Sequence, residues 1–337
     1  MLEHGGALRT AAIHYRIPLH EWLDLSTGIN PNGWTVPMIP AAVWQRLPES
    51  DDGLEAAAKA YYDASFLLPT AGSQAVIQAL PLLRKPCRVG VIHPAYVEHA
   101  QAWWRAGHQV ELLAAENIET LDAAIEHLDV LVIINPNNPT GIRFTTTTLL
   151  DWYMRLARRG GWLVVDEAFM DVTPADSLAN HTGLLSGLIV LRSLGKFFGL
   201  AGARVGFALA EPAVLKRLQE HLGPWPVSGA SRWVAMQALA DHAWQDRMRR
   251  SLTDCGSRLA DMLERQGLPV TGGTGLFQWL PLPDAAFWRD ALARRGILVR
   301  CFKDLPGLRF GLPGQQSDWR RLELALSAVR MERLESF

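Results

Sequence analysis

The sequence predicts an α/β protein in two parts: a large, mainly parallel seven-stranded sheet domain and a smaller α+β domain. Three observations predict it. Short β-branched apolar runs alternate with helical lengths between residues 67 and 209, the pattern of a parallel sheet covered on both faces. Asn138, Asp166 and Lys196 each fall just past the C-terminal end of such a run, where open α/β sheets bind ligands. From about Glu211 long helical stretches take over, then short strands alternating with helices. A chain of 337 residues has length for both parts. The expected division is an N-terminal arm over 1–30, a large domain over 31–215 and a small domain over 216–337.

Residues 1–30 read as irregular, with His4-Gly5-Gly6 and Asn30-Pro31 as turn chemistry. A histidine beside two glycines suits an anion, and it equally suits a frayed terminus. Leu54–Ala64 reads as an alanine-rich helix. A short apolar piece from Leu67 then leads to Gly72-Ser73 and a helix with Val76, Ile77 and Leu80 on one face. Gly-Ser at a helix start offers N–H groups and a hydroxyl to a phosphate, although an ordinary serine cap looks the same. Strands are expected at 88–93, 108–113, 129–134, 162–165, 187–191 and 205–209, with helices at 94–106, 118–127 and 145–159 between them. Beyond 211, helices fill much of 211–266. Strands follow at 276–280, 297–300 and 308–310, with helices near 284–295 and 316–331.

The totals exclude several classes. Hydrophobic residues are 49%, charged residues 20% and the net charge is −1. That is a globular balance with no long basic block, so neither nucleic acid nor an anionic membrane is an expected partner. No apolar run approaches the ~18 residues of a membrane span. The start Met-Leu-Glu-His-Gly-Gly lacks the basic and apolar regions of a signal peptide. Cys87, Cys255 and Cys301 are far apart with no CxxC. They suggest a reducing compartment and a cytoplasmic location. No metal site is expected, since the ten histidines show no HExxH pattern.

The chemistry concentrates at Ser193-Leu-Gly-Lys196 and Arg204, among Gly195, Gly199, Gly202 and Gly206. An anion held by Ser193 and Arg204 would lie beside the Lys196 amine. A lysine kept from water becomes a usable nucleophile toward an aldehyde. Pyridoxal phosphate, a phosphorylated aldehyde, meets both demands. A solvated loop lysine and a paired arginine remain the alternative for this stretch alone. Such a cofactor also needs a carboxylate on its ring nitrogen, a donor to its 3-oxygen and a stacked ring. Asp166, Asn138 and Tyr96 are placed for those tasks. Asp166 as a strand-end cap and Tyr96 as a packed helix-start aromatic are the plainer readings.

Asn135-Pro-Asn-Asn-Pro-Thr-Gly141, Asp166-Glu-Ala-Phe169 and Ser193-Leu-Gly-Lys196 with Arg204 resemble the class I and II aminotransferases of pyridoxal-phosphate fold type I, over nearly the whole chain. The resemblance implies that Lys196 links to the cofactor and that Gly72, Ser73, Ser193 and Arg204 hold its phosphate. It further implies Arg309 as the clamp on a substrate α-carboxylate. Within that family the sequence is similar to the histidinol-phosphate aminotransferases and to the threonine-phosphate decarboxylases of cobalamin synthesis. His4-Gly5-Gly6 and Phe169, where many aminotransferases carry tyrosine, favour the second group. Decarboxylation of O-phospho-L-threonine is therefore the expected activity, with histidinol-phosphate transamination as the alternative. His4, Gly6, Asn30, Asn138, Arg300 and Arg309 are the expected contacts to a small phosphorylated amino acid. A homodimer is expected from the family, although Leu47 stands where relatives place a tyrosine that reaches the neighbouring subunit's cofactor. A pyridoxal-sensing regulator lacks its DNA-binding module here, and a relic without turnover is disfavoured by the intact Lys196.

Overall fold

The computed structural model describes residues 5–302 and 305–335. The described residues form twelve strands: β1 (Leu23–Leu25), β2 (Leu67–Thr70), β3 (Arg88–His93), β4 (Gln109–Ala114), β5 (Val130–Ile134), β6 (Trp162–Asp166), β7 (Leu188–Ser193), β8 (Gly206–Leu209), β9 (Gly272–Thr274), β10 (Phe277–Pro281), β11 (Ile297–Phe302) and β12 (Gly307–Gly311). The backbone divides into two compact units, one of Gly33–Asn138 with Ile142–Arg249, the other of Met1–Asn32, Pro139–Gly141 and Arg250–Phe337.

The larger unit carries a seven-stranded sheet in the order β2-β8-β7-β6-β5-β3-β4. Strands β7, β6, β5, β3 and β4 run parallel. Strand β8 is antiparallel to both its neighbours, β7 and β2. β5 and β6 are buried along their whole length, which is why they read as unbroken apolar runs rather than alternating ones. On one face Val130, Val132, Val164, Ile189, Leu191 and Ala208 form a single core. Helices Ser73–Ala79, Glu98–Arg105 and Pro212–Leu222 contribute Val76, Ile77, Trp103, Val214, Leu215 and Leu218 to it. Strand β4 lies at the sheet's edge with Gln109 and Glu111 exposed, which blunts it as a template for further pairing. All the parallel strands end on the same side, so the segments after β3, β5, β6 and β7 converge there.

The smaller unit carries a five-stranded sheet, β1-β11-β12-β10-β9. Its pairs are antiparallel except β1 with β11, which is parallel. Helices Ala285–Ala293 and Gln316–Glu335 complete it. No helix among the described residues is long and apolar enough to cross a membrane.

Two expectations need correction. Residues 1–30 are not wholly irregular: they contain the helix Leu8–Tyr15 and strand β1. Leu23, Asp24 and Leu25 pair with Ile297, Leu298 and Val299, and Leu25 is buried. The segment therefore belongs with the C-terminal unit rather than forming an arm of its own. The unit boundary falls at Arg249–Arg250, not at 215–216. The physical reason is that Val214, Leu215 and Leu218 fill the larger unit's core. Helix Gly229–Ala240 likewise packs on the helix Leu54–Tyr62.

Candidate active site

Lys196 sits three residues beyond β7. The loop around it is anchored on both sides, since Leu194, Phe197 and Phe198 are fully buried. Phe198 stacks on Trp244 at 5.6 Å between ring centroids, and the Leu194 N–H donates to the Val205 carbonyl at 3.1 Å. Fixing the neighbours fixes the lysine. Its half-buried side chain enters a pocket lined by Gly72, Ser73, Tyr96, Asn138, Asp166, Phe169, Ser193 and Arg204 among others. The amine lies 5.4 Å from the Phe169 ring centroid.

Asp166 closes β6 and is 4% exposed. Its Oδ1 accepts the Ala168 N–H at 3.0 Å, and its Oδ2 lies 2.9 Å from His99 Nε2. An ionised carboxylate only accepts, so Nε2 carries the proton. His99 is itself buried, in the first turn of helix Glu98–Arg105. The sequence reading missed His99. Its signal is the spacing Tyr96-x-x-His99, which the turn leading into the helix, closed by the His99 N–H on the Tyr96 carbonyl at 3.2 Å, converts into neighbouring rings at 6.3 Å. Burial, with the Glu98 and Asp166 charges, pushes the Tyr96 phenol up to about 12.

The phosphate end is shaped by backbone. Gly72 has φ +76°, and a Cβ there would come within 2.7 Å of the Arg204 guanidinium. Any side chain would be strained at that φ and would push the Arg204 guanidinium aside. A Cβ at Gly206 would strike the Ser73 nitrogen at 2.5 Å. These two glycines let Ser73 N–H, the Ser73 hydroxyl and Arg204 converge. Ser193 Oγ accepts the Gly195 N–H at 3.2 Å, which orients the hydroxyl. The turn after β5 is held by Asn135, which brackets Phe144 through both amide atoms, and by Asn137, whose Nδ2 donates to the Pro94 carbonyl at 2.8 Å. Asn138 is thereby left to line the pocket. An anion cradle, an amine, a buried carboxylate and an aromatic face in one cavity fit a phosphorylated pyridine aldehyde.

A buried ion cluster also missed by sequence reasoning underlies this wall. Arg192 on β7 pairs with Glu167, next to Asp166, at 2.6 Å and with Asp171. Its guanidinium lies 4.6 Å from the centre of the Tyr62 ring. Burial opposes the charge of Arg192, but Asp171 and Glu167 more than offset it and raise its pKa. Arg192→Met leaves two buried carboxylates without their cation. It is expected to lower stability by about 3–5 kcal/mol, read as a shift in the urea midpoint at unchanged slope.

The remaining expected residues lie in the smaller unit. Arg300 and Arg309 face each other across β11 and β12. Arg309 is 5% exposed and donates to the Ser26 carbonyl at 2.6 Å. Its burial and the neighbouring Arg300 charge hold its pKa well below the usual guanidinium range. Like charges placed together in this way favour an anion, which relieves both. The Gly6 N–H donates to Ser26 Oγ at 2.8 Å, and Asn30 accepts the Asn32 N–H at 2.9 Å. His4 lies outside the described residues.

The sequence model of the family "Aminotransferase class I and II" matches residues 22–334. A threonine-phosphate decarboxylase of Pseudomonas aeruginosa is 56% identical, covering 97% of both chains. One from a Sinorhizobium species is 39% identical, covering 97% of this chain and 98% of its own. The crystal structure of a histidinol-phosphate aminotransferase from Clostridium acetobutylicum superposes with a TM-score of 0.81 at 20% identity, covering 92% of this chain and 99% of that one; it shares the fold. With its motifs on the C-terminal side of a mainly parallel sheet, and with likeness along nearly its full length, the chain belongs to the class I and II aminotransferase family.

Proposed function

We propose that this chain is a pyridoxal-phosphate-dependent decarboxylase that converts O-phospho-L-threonine to (R)-1-aminopropan-2-yl phosphate and CO2, a step of cobalamin synthesis. The observation that carries the reading is the 56% identity, end to end, with a threonine-phosphate decarboxylase. Phe169 supports it, lining the pocket without the hydroxyl that many aminotransferases have there.

When bound, the cofactor supplies an aldehyde that takes up the substrate amine and a protonated ring that draws in the electron pair left at Cα. Asp166 would hold the ring nitrogen protonated, and His99, 2.9 Å from its Oδ2, orients Asp166. Gly72, Ser73, Ser193 and Arg204 bind the phosphate. Tyr96 would cover a ring face, and Asn138 would donate to the 3-oxygen. Lys196 would hold the resting cofactor through its amine and then move protons at that atom. The carboxyl carbon leaves as CO2 and a proton takes its place at Cα. Arg309 clamps the α-carboxylate. Arg300, with Gly6 and Asn30, is the proposed contact for the substrate phosphate. Anchoring the α-carboxylate and the phosphate together would fix the pose that selects the carboxylate bond for cleavage.

Arg309→Lys keeps the charge but loses the planar fork. Steady-state kinetics should show kcat/KM for phosphothreonine falling roughly 10- to 100-fold, the worth of charge-assisted hydrogen bonds. The function itself is tested with carboxyl-labelled phosphothreonine. The expected result is labelled CO2 and the amino phosphate in equal amounts. Amino transfer from histidinol phosphate to 2-oxoglutarate, without CO2 release, would overturn it.

The proposed partner is a second copy of the chain. Met38, Trp44 and Leu47 are exposed at 93%, 66% and 63% along one segment, an apolar surface of the sort that marks an interface. Leu47 cannot donate a hydrogen bond across it. The proposed location is the cytoplasm, in keeping with three cysteines that form no disulfide among the described residues.

A further inference from the structure

We propose that Glu98 and Gln74 are positioning residues for the cofactor ring, acting through a relay in which Glu98 orients the Gln74 amide and Gln74 orients Tyr96. The proposal rests on the reading that pyridoxal phosphate occupies the pocket. Gln74 lines that pocket beside Ser73 and Tyr96.

The chemistry of the donors and acceptors sets the direction of each bond. Glu98 Oε2 accepts from Gln74 Nε2 at 3.0 Å and from Gln78 Nε2 at 3.1 Å. An ionised carboxylate has no proton to give, so both amides must turn their NH2 groups toward it. The Gln74 carbonyl oxygen is thereby aimed the other way, and the Tyr96 hydroxyl donates to it at 3.1 Å. A phenol whose proton affinity is pushed up to about 12 remains a donor throughout the neutral range. Each hydrogen in the relay then has one direction.

The relay joins two parts of the site. Gln74 follows Ser73 in the first turn of helix Ser73–Ala79. Tyr96 lies in the irregular stretch between β3 and helix Glu98–Arg105. Fixing the phenol to this helix sets the ring face at a constant height relative to the phosphate cradle. A glutamine at 98 would break the logic, because a neutral amide presents either oxygen or NH2 and lets Gln74 turn over. The helix itself is held elsewhere, by buried Val76, Ile77 and Ala79. Gln74 and Glu98 are only half-buried, so their replacement should leave the fold intact.

A double-mutant cycle on cofactor affinity tests this. Apoprotein of the wild type, Gln74→Ala, Glu98→Gln, Tyr96→Phe and the double variant Gln74→Ala/Tyr96→Phe is titrated with pyridoxal phosphate. The circular dichroism of the bound cofactor and the unfolding temperature of each apoprotein are recorded alongside. Loss of one oriented hydrogen bond should weaken binding about five- to tenfold in each single variant. The dichroic band should shrink and apoprotein unfolding stay unchanged. In the Tyr96→Phe background, Gln74→Ala should cost less than about twofold, because the bond it supports is already gone. Should Gln74→Ala fail to fold, Gln74→Met, with similar length and helix propensity, takes its place. Equal losses in both backgrounds, or unchanged affinity in Gln74→Ala and Glu98→Gln, would overturn the relay while leaving the cofactor assignment standing. A wild-type protein that takes up no pyridoxal phosphate would overturn that assignment, and the relay with it.

Discussion

Lys196→Ala is expected to reduce decarboxylation at least about 10³-fold, since proton transfer by one positioned side chain contributes roughly 10²–10⁴ and the covalent hold on the cofactor disappears as well. The substitution should leave the fold in place. Lys196 is half-buried, and the loop is secured by Leu194, Phe197 and Phe198 rather than by the amine. The expected pattern is thus an unchanged unfolding temperature, loss of the visible-edge absorbance of the linked cofactor, and turnover near the assay floor. Arg192→Met should do the reverse, lowering stability first.

Asp166→Asn is expected to cost about 10²–10³-fold in kcat, the scale of removing one preorganised electrostatic partner. The substitution separates charge from shape. An asparagine oxygen can still accept the Ala168 N–H, as Asp166 Oδ1 does at 3.0 Å. Its NH2 faces His99 Nε2, which lies 2.9 Å from Asp166 Oδ2, and His99 must then switch tautomer. The geometry survives and the negative charge does not. A loss of the stated size with pyridoxal phosphate still bound places the effect on the ring nitrogen. A loss explained wholly by weaker cofactor binding would place it on packing instead.

The parts of this account that are legible in sequence share a physical cause. Val130–Ile134 and Trp162–Asp166 read as strands because both faces are covered, so no polar residue interrupts them before Asp166 closes the second. Asn138, Asp166 and Lys196 read as a site because parallel strands end on one side. What sequence hides is pairing over distance. Leu23–Leu25 is too short to show a period, and it is a strand only because β11 lies beside it. The unit boundary at Arg249 is hidden for the same reason, since Leu215 and Leu218 find their neighbours in Val76 and Ile77. His99, Glu167 and Arg192 look like ordinary polar residues until burial removes water and leaves His99 to Asp166 and Glu167 to Arg192. Gln74 and Glu98 carry no motif; their meaning lies in which atom of an amide faces which neighbour.

The central claim is that one lysine holds the cofactor. Borohydride reduction of the enzyme loaded with pyridoxal phosphate, followed by peptide mapping, tests it most directly. The chain has four other lysines, Lys59, Lys85, Lys216 and Lys303, so the label can be assigned without ambiguity. One phosphopyridoxyl group per chain is expected, on the peptide containing Lys196, and none after Lys196→Ala. Labelling spread over the other lysines, or label retained in the Lys196→Ala protein, would contradict it.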